Sequence, residues 1–134
     1  MSSKLEVEKR ELVPVENIRT LVSSVFQKVG CDEDISEFVA EHLVESNLKG
    51  VESHGVMRMI QYVEQLENGY MNPSGRPSLK QNDNGAWIVN GHGGFGIPAL
   101  QLGIEKAIGG AKEKGISGIS SMKKADLIKA LQEA

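Results

Sequence analysis

Met71-Asn72-Pro73-Ser74-Gly75-Arg76-Pro77 divides the sequence into two unlike halves. Two prolines and a glycine forbid a continuing helix here. Proline removes a helical N–H and pushes the residue before it towards extended conformations. Upstream of the break, apolar residues recur at three- and four-residue steps; downstream they come in short runs separated by turn formers. The expectation is an α+β or α/β fold: a three-helix segment, then a β-hairpin, a helix, a strand and a short terminal helix.

Reading back from the break, a third helix is expected from about Gly55 to Asn68, with Val56, Met59, Ile60, Val63 and Leu66 on one side. Met57 and Met59 are read as core residues. Before it, Ile35, Phe38, Val39, Leu43 and Leu48 mark a second helix ending at Gly50, with Asp32 or Asp34 as its cap. Val15, Ile18, Leu21, Val22, Val25, Phe26 and Val29 mark the first, stopped by Gly30. The first two helices form an antiparallel pair. Cys31 is then a small residue in their turn, and His42, among Glu41 and Glu45, a solvated surface histidine. Residues 1–11 carry charge without a period and read as a mobile arm, leaving 12–72 as the helical segment.

Reading forward, Ser78 to Gln81 and Ala86 to Val89 flank Asn82-Asp83-Asn84-Gly85. The Asn-Gly pair favours positive backbone angles and a hairpin. A glycine-rich loop leads into a helix from about Ile97 to Glu113, whose face is Leu100, Ile104, Ala107, Ile108 and Ala111, with Gly115 as the stop. Ile116 to Ser120 reads as a strand and residues 121–134 as a short helix. Residues 73–134 thus form an α/β part with an atypical tail from about 121.

The totals exclude several functions. With 134 residues, 40% hydrophobic and 25% charged, the chain has the composition of a globular protein and not of a disordered one. A net charge of −3 and scattered lysines offer no basic field for nucleic acid or an anionic membrane. No apolar run approaches the roughly 20 residues of a membrane helix, and one cysteine cannot build an internal disulfide. A cytoplasmic protein is expected, and its small, aromatic-poor core points to association with a partner subunit.

Two stretches could carry chemistry. Gly91-His92-Gly93-Gly94-Phe95-Gly96 satisfies G-x-G-x-x-G between a strand and a helix, so its amides could hold a phosphate. A dinucleotide site would, however, want the strand in a parallel unit and an acid after the next strand, where Ser120 and Ser121 stand. Three readings remain for Gly93, Gly94 and Gly96: a tight turn, a dinucleotide site, or a loop beside a ligand in another fold. The second stretch is Ser53-His54-Gly55 with Arg58. A helix starting near Gly55 would place His54 at its positive end, near a guanidinium, and both disfavour imidazolium. A neutral His54 could take a hydroxyl proton as hydride leaves the same carbon, and return it in reverse. Ser53 could orient the ring, and Arg58 could clamp a carboxylate at two points. The competing reading has Ser53 capping a helix, His54 packed in a turn, and Arg58 paired with Glu52 or Glu45.

Gly50-Val51-Glu52-Ser53-His54-Gly55-Val56 follows the helix Val39-Ala40-Glu41-His42-Leu43-Val44-Glu45-Ser46-Asn47-Leu48-Lys49 and precedes Tyr62-Val63-Glu64 and Gly69-Tyr70-Met71-Asn72-Pro73. Together these resemble the N-terminal portion of the type 2 malate/L-lactate dehydrogenase family, and the likeness runs to about Ser120. The resemblance implies an NAD(P)-dependent oxidoreductase acting on 2-hydroxy or 2-oxo acids, or on related imino or ureido acids. It implies a cofactor domain that is not a Rossmann fold and assembly as a dimer or larger. Carried onto this sequence, it makes His54 the proton donor or acceptor, Ser53 its relay partner and Arg58 a substrate-carboxylate contact. The Gly91 to Gly96 loop becomes a structural turn. Family members are usually much longer, and Met122-Lys123-Lys124-Ala125-Asp126-Leu127 does not continue their pattern. A truncated member is therefore expected, with a catalytically inactive helical association module as the alternative.

Overall fold

A computed structural model describes residues 10–115 and Lys129. The expected strand at 116–120, the terminal helix of 121–134 and arm residues 1–9 lie outside the described residues. The chain forms two compact units, Met1–Glu67 and Asn68–Ala134. Four helices and a two-stranded antiparallel sheet make the described fold α+β.

In the first unit, α1 (Val15–Lys28) and α2 (Glu33–Leu48) pack as the expected antiparallel pair. Val22 and Phe26 of α1 meet Val39, Ala40, Leu43 and Val44 of α2 in a core closed to solvent. Each large apolar side chain so buried contributes roughly 1.5–3 kcal/mol. The two helices end alike. Gly30 N–H donates to Gln27 O at 3.0 Å and Cys31 N–H to Phe26 O at 3.0 Å; Gly50 N–H donates to Asn47 O at 3.0 Å and Val51 N–H to Ser46 O at 2.8 Å. This paired closure needs a left-handed residue, and Gly30 (φ 97°) and Gly50 (φ 77°) supply it without the steric cost of a Cβ. Asp32 stands at the start of α2, but its side chain makes no capping bond. Its carbonyl instead accepts from the N–H (2.9 Å) and Oγ (2.8 Å) of buried Ser36.

The third helix begins later than expected. Glu52–His54 forms a 3-10 turn, Gly55 is extended, and α3 runs Arg58–Glu67. The Tyr62 ring meets Phe26 with centroids 6.4 Å apart, and Leu66 is buried on the same side. Met57, placed in the core by its spacing, precedes the helix and is 56% exposed; Ile60 falls outside the face of Met59, Tyr62, Val63 and Leu66 and is 65% exposed. Leu21, Phe38 and Leu48 also face outward at the margins of their helices.

In the second unit, β1 (Ser78–Gln81) pairs antiparallel with β2 (Trp87–Asn90), Leu79 opposite Val89. Only Gly85 of the expected Asn-Gly pair has positive φ, because Gly85 N–H closes a turn onto Asn82 O at 2.9 Å and the glycine follows that turn as a bulge. Asn82 Oδ1 also accepts from the N–H groups of Asn84 (3.1 Å) and Ala86 (2.8 Å). Helix α4 (Gly96–Glu113) buries Pro98 and Ala111. It turns small residues to the hairpin: a Cβ on Gly103 would lie 3.3 Å from Val89 Cγ2. Leu100 and Ile104, expected on the inner face, lie beside that row and remain exposed.

Candidate active site

Ser53, His54 and Arg58 come together where α2 ends and the 3-10 turn begins. His54 N–H donates to Val51 O at 3.1 Å and Gly55 N–H to Glu52 O at 3.0 Å, so two consecutive side chains are held on one tight turn. Ser53 Oγ lies 2.9 Å from His54 Nδ1. Nε2 has no partner among the described residues, and both side chains are exposed. The ring is therefore fixed through one nitrogen and open at the other, the arrangement a proton-transfer histidine needs.

Arg58 reaches the turn by a route the spacing did not reveal. It is the first residue of α3, so His54, in the 3-10 turn and separated from that helix by residues 55–57, does not stand at the helix start expected near Gly55. Its Nε donates to the Ser53 carbonyl at 2.7 Å and Nη1 to Gln61 Oε1 at 2.9 Å. Among the described residues, Nη2 has no partner. The surface pairings considered for Arg58 go elsewhere: Glu52 pairs with Arg10 at 2.6 Å and 3.3 Å, and Glu45 with Lys49 at 2.7 Å. Lys49 holds the Glu45 carboxyl below its ordinary range.

Asn47, in the last turn of α2, escaped the sequence reading. Its Oδ1 accepts the Val56 N–H at 2.7 Å and occupies the space beside Gly55, where an added Cβ would stand 2.1 Å away. The available signal was a short polar amide at a helix C-terminus, followed by two glycines around the Ser-His pair. Arg10 is a second such residue, tied to Glu52 of the turn.

The glycine loop is built differently. Gly91 to Gly94 is a turn with positive φ at His92 (50°) and Gly93 (75°). Gly94 N–H is given to Gly91 O at 2.9 Å and His92 N–H to Asn90 Oδ1 at 2.9 Å. A Cβ on Gly94 would come within 2.2 Å of Gly75 O, so the glycines let two backbone segments touch. Asn72 fastens the loop through its N–H to Gly93 O (2.8 Å) and its Nδ2 to His92 O (3.2 Å). Two amides that a phosphate would require are thus turned into the protein, and the close backbone contact leaves no cradle. The turn at Gly93 and Gly94 thus offers no cradle for a dinucleotide's pyrophosphate, while Gly96, the first residue of α4, has open space around it. His92 Nε2 lies 2.8 Å from Ser78 Oγ.

A groove of about 660 Å³ between α1 and α2 is lined by Glu16, Asp34, Glu37 and Glu41 besides Arg19. Glu16 and Glu41 both pair with Arg19 and keep its guanidinium charged, which leaves an acidic surface unsuited to a carboxylate ligand. Among the described residues, no group of three or more His, Cys, Asp or Glu side chains is gathered where a metal ion could be held. No described helix is long and apolar enough to cross a membrane.

Over 105 residues, the chain is 31% identical to a Δ1-pyrroline-2-carboxylate/Δ1-piperideine-2-carboxylate reductase from Pseudomonas putida, covering 78% of this chain and 31% of the reductase. Over 99 residues it is 32% identical to a malate dehydrogenase from Pyrococcus abyssi, covering 71% of this chain and 27% of that enzyme. The solved malate dehydrogenase of Pyrococcus horikoshii superposes with a TM-score of 0.69 at 30% identity, over 77% of this chain and 30% of that structure. The chain therefore spans less than a third of the length of these relatives. The family model for malate/L-lactate dehydrogenase matches residues 13–128, and the chain belongs to that family.

Proposed function

We propose that this chain carries the proton-transfer and carboxylate-binding part of an NAD(P)-dependent oxidoreductase of 2-hydroxy and 2-oxo acids such as malate or lactate. The observation that carries the reading is the Ser53 Oγ to His54 Nδ1 contact of 2.9 Å with Nε2 left open. With Nδ1–H donating to Ser53 Oγ, Nε2 presents a lone pair. It takes the substrate hydroxyl proton while hydride leaves the same carbon, and in reduction it returns a proton to the carbonyl oxygen. Arg58 offers Nη2 to the substrate carboxylate, and a second point follows when Gln61 yields Nη1. NAD or NADP is the hydride partner that the family resemblance implies. The glycine loop does not fit it, and no coenzyme role is assigned there.

The test is a titration of the labelled chain with malate, lactate and their 2-oxo counterparts, read by NMR at His54 and Arg58. Both signals move in the native chain, and Arg58→Ala abolishes the response. If no acid of the panel perturbs either residue, the reading is wrong. Alongside it, any NADH- or NADPH-dependent reduction of the 2-oxo acids disappears in His54→Ala.

A second reading is favoured by the exposed Leu48, Val51, Met57 and Ile60 of the first unit: a helical module that associates with a second copy of the chain without catalysis. Homo-oligomer formation is common to both readings. Acid binding at His54 separates them.

A further inference from the structure

Resting on the reading of His54 as the proton-transfer residue, we infer that Asn47 is the positioning residue that keeps Ser53 Oγ on the imidazole. Asn47 spans the loop from both sides. Its carbonyl receives Gly50 N–H at 3.0 Å, where the chain leaves α2, and its carboxamide oxygen receives Val56 N–H at 2.7 Å, where the chain leaves the Ser-His turn. One residue thus sets the separation of the loop's two ends. An N–H donor at the amide oxygen also settles which way the carboxamide faces.

Gly55 completes the device. An added Cβ there would lie 2.1 Å from Asn47 Oδ1 and 2.6 Å from its Cγ, so the carboxamide reaches Val56 N–H only because residue 55 has no side chain. The other side-chain ties to the loop, Arg58 Nε to Ser53 O and Arg10 to Glu52, are made by longer side chains with more rotamer freedom to lose. Asn47 is short and is seated at a helix end already closed by its own carbonyl, so it loses little freedom in making its contact. Both of its bonds to the loop are to backbone amides, so it acts through the backbone of the turn.

The experiment uses the whole chain labelled with ¹⁵N in its imidazoles and reads the Nδ1 and Nε2 resonances of His54. His42, which is solvated, and His92, which has its own serine, serve as internal references. Ser53→Ala is expected to move His54 Nδ1 in the otherwise native chain. In Asn47→Ala that response is lost while the His92 signals stay in place. Asn47→Asp, which keeps the acceptor oxygen, restores it. Gly55→Ala, which retains Asn47 but displaces its carboxamide, loses the response as Asn47→Ala does, and decides the matter if Asn47→Ala does not fold. A folded Asn47→Ala or Gly55→Ala chain with the Ser53 response intact overturns the role of Asn47 and leaves the catalytic reading standing. If Ser53→Ala moves nothing in the otherwise native chain, the Ser53–His54 pairing fails, and the positioning role fails with it.

Discussion

Arg58 spends its Nε on the Ser53 carbonyl, so the guanidinium is held by the same turn that holds the imidazole. Lysine cannot reproduce a donor fork in that place. Arg58→Lys is expected to weaken acid binding by about tenfold or more, the scale of one charge-assisted hydrogen bond, in the same NMR titration. The exposed Arg10–Glu52 pair is of another kind: Arg10→Ala should cost no more than about 1 kcal/mol in urea unfolding. Cys31 is buried, and burial, followed by the charge of Asp32, raises its thiol pKa. The folded chain therefore favours the protonated thiol. Alkylation at mildly alkaline pH should be much slower in the native than in the denatured protein, and above the unfolded thiol's pKa this group should lower stability as pH rises. At this scale the sequence named Ser53, His54 and Arg58 but not Asn47. A bond from a side chain to a backbone amide nine residues on leaves no periodic trace.

The elements were legible where period and punctuation agree. α1 and α2 end where Gly30 and Gly50 stand, and the hairpin brackets Asn82–Gly85 as expected, because glycine at a left-handed position is a local requirement. α3 starts later than the spacing implied because Val56 extends the apolar period of Met59 and Val63 backwards, whereas residues 55–57 form a bend and turn ahead of the helix. Likewise, Leu100 and Ile104 of α4 fit a helical face, but the hairpin packs against Gly103, and a glycine carries no hydrophobic signal. Phe26→Ala, which empties the centre of the α1–α2 pair, should cost about 3–5 kcal/mol by denaturant titration. Gly94→Val drives a side chain into Gly75 O, and a lowered melting temperature would register the clash.

At the scale of the whole molecule, family membership came from contiguous motifs, while the break at 71–77 left α+β and α/β both open; the antiparallel hairpin decided for α+β, and which apolar residues stay outside also required the structure. Leu48 and Ile60 are the ones to test for association. Sedimentation should show self-association that Leu48→Glu with Ile60→Glu reduces; a native chain that remains monomeric at micromolar concentration would remove the association proposal. The bonds described around the Ser53–His54 turn come from residues no later in the chain than Gln61. Proteins are made from the N-terminus, and compact units fold as they emerge. On the ribosome, then, the turn can close before the hairpin and α4 have been synthesised.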